Sequence, residues 1–241
     1  MNTKNKFDVS IIIPCYKEEA HIVRNTKEIY SIMNKTNYSF EIIFVEDAGG
    51  DKTKEKIIDI VKNFPNVQYL FHKKNTGKGK AIADGAKISN GNIIGHIDID
   101  LEISANYLPF VIAEIENGFD IALIERKINF NYKYLLRDMG GKLHRLLIKY
   151  FLPIPFTDVQ SGCKFFKRDI LLELLPEIKS QEWFFDVELM TYAHYKNFRI
   201  KQIPGFYIRN AQKKSTVNFF RDGIKQLKNL IRFKKKIKEM I

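Results

Sequence analysis

Only two cysteines, Cys15 and Cys163, occur in the 241 residues. They are too few for a disulfide framework and lack metal-ligand spacing, so reduced, buried thiols are expected. No stretch approaches the roughly 18 apolar residues that cross a bilayer. The N-terminal MNTKNKFDVS has no apolar signal-peptide core, so a cytoplasmic location is expected. NTGKGKA (75–81) fails the Walker A spacing, and Gly77 and Gly79 lack the third glycine of a dinucleotide fingerprint. Taken alone, it reads as a turn entering a helix. His72, His96 and His144 share no spacing and receive no chemistry. No internal repeat or low-complexity segment is present.

What is present is the composition of a folded protein, 45% hydrophobic and 28% charged. The net charge of +12 is unevenly spread: from Lys213 to Ile241 there are ten Lys or Arg against two acids, Asp222 and Glu239. Such a tail suits a polyanion, either nucleic acid or an anionic membrane surface. No nucleic-acid-binding motif accompanies it, so nucleic acid is not the expected partner.

Short apolar runs alternate with helical patterns. VSIIIP (9–14), FEIIFV (40–45), VQYLF (67–71) and NIIGHID (92–98) predict strands, and 18–34, 52–63 and 78–89 predict helices. The alternation argues for an α/β protein with an open, mainly parallel sheet covered on both faces. Ligands of such sheets bind beyond the carboxyl ends of the strands. Three of those ends carry acids: PCYKEE, EDAGGD and DIDLE. Any one of them alone reads as a polar turn; three on one edge suggest a site.

Asp98 and Asp100 are two apart, and in a regular strand their side chains would point the same way. Two converging carboxylates repel unless a cation lies between them. Oxygen-only ligands favour Mg²⁺ or Mn²⁺, and Mg²⁺ typically binds one or two carboxylates plus substrate phosphates.

Five segments, SIIIPCYKEEAHI, EIIFVEDAGGDKT, NTGKGKAIADGAKISNGNIIGHIDIDLE, TDVQSGCKFFKRDIL and EWFFDVELM, follow one another as in family 2 glycosyltransferases. Over about residues 9 to 235 the chain resembles the polyprenol-phosphate (dolichol-phosphate) mannosyl- and glucosyltransferases. The resemblance implies a GT-A fold, a nucleotide-diphosphate sugar donor of GDP-mannose or UDP-glucose type, Mg²⁺ or Mn²⁺, and inversion at the anomeric centre. Carried over by position, Pro14, Tyr16, Glu18, Glu46, Asp47 and Lys78 would serve the nucleotide sugar. Asp98 and Asp100 would hold metal and diphosphate, with Glu102 as a further oxygen donor. Arg126, Arg137 and Ser161 would take an acceptor phosphate, and Arg209 and Ser215 would close over the donor. The pattern departs from the family at Lys17, where Asn is usual, and at Glu46-Asp47, where two aspartates are usual. The implied partners are polyprenyl or dolichyl phosphate, an anionic membrane surface met peripherally, and a membrane-anchoring subunit.

The acceptor decides whether a base is needed. A hydroxyl must lose its proton, whereas a phosphate, with a second pKa of about 6, is already anionic. For a hydroxyl acceptor on a glycan, the alternative reading, Asp158, Asp186 or Glu188 would be the general base. The segment 127–156 mixes Lys127, Lys133, Arg137, Lys142, Arg145 and Lys149 with apolar residues. It reads either as a helix pair with a solvated basic face or as an interfacial surface for a lipid phosphate. Two units are expected, a catalytic domain over 1–212 and a basic amphipathic segment over 213–241. In the latter, Phe220, Ile224, Leu227 and Ile231 form a stripe that would either pack on the domain or lie on anionic lipid.

Overall fold

The structure, a computed structural model, describes residues 6–128, 135–156, 158–208 and 219–240; the side chains of 128, 135–139, 219–222, 224 and 238–240 lie outside that description. Its first half alternates β1 (Phe7–Cys15), α1 (Ile22–Met33), β2 (Phe40–Glu46), α2 (Thr53–Asn63), β3 (Val67–Phe71), α3 (Lys78–Ile88) and β4 (Gly91–Ile97). These follow the expected strands and helices closely. Helix α1 begins later than the predicted residue 18, because the amides of His21 and Ile22 first close a turn on the Glu18 carbonyl. The second half contributes α4 (Leu108–Glu116), β5 (Ile121–Ile128), α5 (Leu135–Phe151), β6 (Cys163–Lys167), α6 (Arg168–Leu174), α7 (Phe185–Tyr195), β7 (Ile200–Tyr207) and α8 (Phe219–Met240).

The strands form one seven-stranded sheet in the order β3-β2-β1-β4-β6-β5-β7. β6 runs antiparallel to β4 and β5, while the other pairings are parallel. Period-two alternation sorts the strand side chains onto two faces. Val9, Ile11 and Ile13 of β1 join α1, α2 and α4 in one apolar layer. Ile12, with Ile43 and Val45 of β2, joins α3 and α5 to α8 in the other. Helices α1 and α2 therefore cover one face and α3 the opposite one. The direction of chain travel reverses between β1 and β4, which creates a crevice at their carboxyl ends.

Helix α8 belongs to the second layer. Leu230, Phe233 and Ile237 are buried there, with the Phe233 ring 5.8 Å from Phe184 and 5.4 Å from Tyr192. The buried stripe is thus rotated from the expected one: Leu227 and Ile231 are exposed, and the side chains of Phe220 and Ile224 lie outside the described residues. Among the described residues no helix is long and apolar enough to cross a membrane.

Candidate active site

Because β3, β5 and β7 run with β1, β2 and β4, the carboxyl ends of six strands and the amino end of β6 lie on one sheet edge. A pocket there is lined by Asp98, Asp100, Glu102, Arg126, Gly162 and Tyr207. The two aspartates do converge, but not by strand alternation. β4 ends at Ile97, and a turn follows in which the Leu101 amide donates to the Asp98 carbonyl at 3.1 Å. Leu101 adopts a φ of 50°, left-handed backbone that a leucine rarely takes, at a cost of order 1–3 kcal/mol. The segment before β6 closes over Asp98: its amide donates to the Gly162 carbonyl at 3.0 Å. A Cβ at position 162 would lie 2.3 Å from Asp98 Oδ2, so only glycine allows this approach.

Lys78, the first residue of α3, places Nζ 2.6 and 2.8 Å from the two Asp98 oxygens and 5.5 Å over the Trp183 ring. Burial pushes the Lys78 pKa down, but Asp98, helped by Asp186 and Asp100, outweighs that and lifts it above the usual value. The ammonium occupies the position of a cation against the Asp98 carboxylate. That contact and the all-oxygen donor set fit Mg²⁺ or Mn²⁺ at Asp98 and Asp100. Glu102 lines the same pocket, but its carboxylate accepts from the Tyr207 hydroxyl. Among the described residues no group of three or more His, Cys, Asp or Glu is arranged to hold a metal. The structure therefore offers two carboxylates rather than three.

At the ends of β1 and β2, Pro14 and the exposed Tyr16 border the crevice, and Lys17, at φ 58°, sets its Nζ 5.4 Å over the Tyr16 ring. Buried Glu18 lies in the turn before α1, its amide donating to Thr53 Oγ1 at 2.9 Å. Glu46 and Asp47 are buried and spend their carboxylates on backbone. Glu46 Oε1 accepts from the Gly49 amide at 2.6 Å. Asp47 accepts from the amides of Thr76 and Gly77 at 2.8 and 2.7 Å and meets His72 Nδ1 at 2.7 Å. Burial would raise the Asp47 pKa, yet these bonds hold it below the usual value. Asp47 thus ties the NTGKGKA turn, with Gly77 at φ 97°, to the end of β2 and so places Lys78 beside Asp98.

On the other side of the pocket, Arg126 is clamped by Asp158. Its Nε and Nη2 donate to the two carboxylate oxygens at 2.7 and 2.6 Å, and its amide donates to Oδ2 at 3.0 Å. Burial alone would raise the Asp158 pKa; Arg126, with help from Arg145, lowers it. Arg126 also borders a second cavity, lined by His144, Arg145 and Ile148 of α5 and by Asp158 and Gln160. One guanidinium is shared between the two cavities. Ser161, expected at the acceptor phosphate, is fully buried, with Oγ 3.4 Å from the amide and carbonyl of Cys163. It faces inward and lines neither cavity. Arg137 lies on α5 with its side chain outside the described residues, as are Arg209 and Ser215.

The sequence profile described as Glycosyl transferase family 2 matches residues 10–175. The chain belongs to glycosyltransferase family 2. A dolichyl-phosphate beta-glucosyltransferase of Trichomonas vaginalis is 25% identical over 209 residues, covering 81% of this chain and 64% of that one. One of Dictyostelium discoideum is 23% identical over 259 residues, covering 97% and 77%. Glycosyltransferase AglD of Haloferax volcanii is 24% identical over 204 residues, covering 82% and 32%. The chain thus spans from about a third to about three quarters of the length of these relatives. Among solved structures, glucosyl-3-phosphoglycerate synthase from Mycobacterium tuberculosis in complex with Mn²⁺, UDP and phosphoglyceric acid superposes with a TM-score of 0.71. It is 16% identical, covering 95% of this chain and 78% of that one. The likeness establishes the GT-A fold.

Within this glycosyltransferase the structure also brings together residues to which the motifs assign no specific role. Arg145, one of the basic residues of 127–156, and Gln160 line the second cavity, and Gln160 Nε2 donates to the Trp183 carbonyl at 2.9 Å. Lys164 lies beneath the site, fully buried, donating to the Val159 carbonyl at 2.6 Å and to Asp186. A signal for it was present: CKFFK is a buried strand with a lysine at a core position.

Proposed function

We propose that this glycosyltransferase moves a hexose, with inversion, from a nucleotide-diphosphate sugar of GDP-mannose or UDP-glucose type to polyprenyl or dolichyl phosphate at a membrane surface. One observation carries the reading. Among the described residues, the three carboxylates expected as the base for a hydroxyl acceptor are already committed: Asp158 to Arg126, Asp186 to Lys164, and Glu188 to the amides of Lys179 and Ser180 at 2.8 and 3.0 Å. A site whose expected bases are committed suits an acceptor that is already an anion. The names of the relatives support the same acceptor class.

In this reading, Asp98 and Asp100 would hold a divalent cation, which would supply positive charge to stabilise the departing diphosphate. Lys78 leaves Asp98 for the diphosphate oxygens. Arg126 faces both cavities and brings the acceptor phosphate toward the sugar, its fork held by Asp158. Exposed Leu143, Leu146 and Tyr150 on α5 and Leu227 and Ile231 on α8 form an apolar surface among lysines, suited to peripheral contact with anionic lipid. The two helices meet where Lys234 of α8 lies 5.5 Å over the Tyr150 ring.

The test compares polyprenyl phosphate with the matching free alcohol, using UDP- and GDP-sugars and Mn²⁺. Transfer to the phosphate alone is expected. Equal rates on the alcohol would overturn the reading.

A further inference from the structure

Lys164 is the most deeply buried cation described, with no exposed side-chain surface. It sits on β6, on the same face as Phe166, where the neighbouring core is apolar. An ion pair in such a place is not retained for stability alone, because a well-packed apolar pair usually serves as well or better. What the pair touches points to its use. The Lys164 ammonium donates to the carbonyl of Val159, whose neighbour Asp158 grips Arg126 by both carboxylate oxygens. Three residues beyond Val159, the carbonyl of Gly162 receives the Asp98 amide. The partner carboxylate, Asp186, starts the first turn of α7 close enough to Lys78 to act on it electrostatically. Asp186 is thereby a buried negative charge that acts on Lys78, and Lys164 compensates it.

We propose that Lys164 is a positioning residue that sets acceptor specificity, holding the segment that aims Arg126 while cancelling the charge of Asp186. Without Lys164 the Val159 carbonyl loses its donor, and Asp158 and Arg126 lose a fixed support. Asp186 then stands as an unpaired carboxylate that repels an anionic acceptor and competes with Asp98 for Lys78. Each consequence disfavours a phosphate acceptor. The inference rests on the anionic-acceptor reading above and names the residue that enforces it.

The test uses the full chain with polyprenyl phosphate and the matching alcohol as acceptors. Donor binding is followed separately through the fluorescence of Trp183, the chain's single tryptophan, which lies over Lys78. Lys164→Met alone leaves Asp186 buried and unpaired, so the main variant is Lys164→Met/Asp186→Leu, an apolar pair of similar volume. Its melting temperature should stay near that of the wild type, and its binding of UDP or GDP with Mn²⁺ should change little. Its KM for polyprenyl phosphate should rise on the order of tenfold or more, the scale of a lost hydrogen bond to a charged group. Asp186→Asn keeps the bond from Lys164 to Val159 and should show the smaller rise. An unchanged acceptor KM in the folded double variant would overturn the inference, as would a parallel loss of donor and acceptor binding. If the wild type itself glycosylates the alcohol as fast as the phosphate, the proposed function falls and this inference falls with it. A wild type that prefers phosphate beside a double variant that keeps the same preference and acceptor KM removes this inference alone.

Discussion

At the scale of single residues, the strongest demand on the site is electrostatic. Asp98 and Asp100 line one pocket with Glu102, Arg126 and Tyr207, and Lys78 meets Asp98. Asp98→Asn and Asp100→Asn should each lower kcat by about a hundredfold or more, the usual scale for removing a group that stabilises developing charge. Mn²⁺-dependent UDP or GDP binding, read by calorimetry, should weaken in parallel; full turnover by either variant would exclude the assignment. Arg126→Lys should act differently. An ammonium cannot reproduce the two-pronged contact with Asp158, so the acceptor KM should rise about tenfold to a hundredfold while donor binding persists. Lys17 offers a test of backbone strain instead. Its φ of 58° is left-handed, a region where asparagine is tolerated better than lysine. Lys17→Asn should therefore stabilise the fold by up to about 1 kcal/mol, visible as a melting-temperature rise of a few degrees.

At the scale of elements, α8 has two apolar faces with different duties. Leu230, Phe233 and Ile237 are core residues, whereas Leu227 and Ile231 are exposed. Phe233→Ala should cost about 3–5 kcal/mol in chemical unfolding, as large-to-small changes in cores do. A chain ending at Ala211 would lose that packing altogether, so truncation cannot by itself report on lipid contact. Leu227→Asp/Ile231→Asp is the cleaner variant. It should keep the melting temperature and lose binding to anionic vesicles, and binding by the parent protein should weaken with added salt. Vesicle binding that survived the substitutions would place the contact elsewhere.

For the whole molecule, acid stability follows from carboxylates held in the folded state. The pKa values of Asp47, Asp84, Asp120 and Asp158 are all lowered on folding, where hydrogen bonds and cations outweigh burial. A group depressed in this way contributes stability above its unfolded pKa and loses it as pH falls through the folded value. His96, fully buried, and His144 also have pKa values pushed below the usual imidazole value, chiefly by burial. The unfolded chain therefore takes up protons that the folded one does not as pH falls through about 6.5. Stability should begin to decline below about pH 6.5 and fall more steeply below about pH 4, the unfolded carboxylate value. Melting curves across pH would show this, with a shallower acid limb in Asp47→Asn; stability that stayed flat down to about pH 4 would exclude the histidine contribution.

The first four strands and three helices were legible because their periodicity is local, and the acids at three strand ends followed from the direction of a parallel sheet. Asp98 and Asp100 could be named from spacing alone, yet their convergence comes from a turn with left-handed Leu101, which alternation does not encode. Family likeness supplied Arg126, but its clamp on Asp158 joins residues 32 apart in the chain. Lys164 and Asp186, 22 apart, become a pair only when β6 and α7 pack. Sequence by itself determined the α/β order and placed two aspartates at the end of β4, since each depends on neighbours along the chain. Tertiary structure alone decided which carboxylates are committed, which face of α8 is buried and where Lys78 rests. Those outcomes depend on charges and side chains that meet only after the layers close.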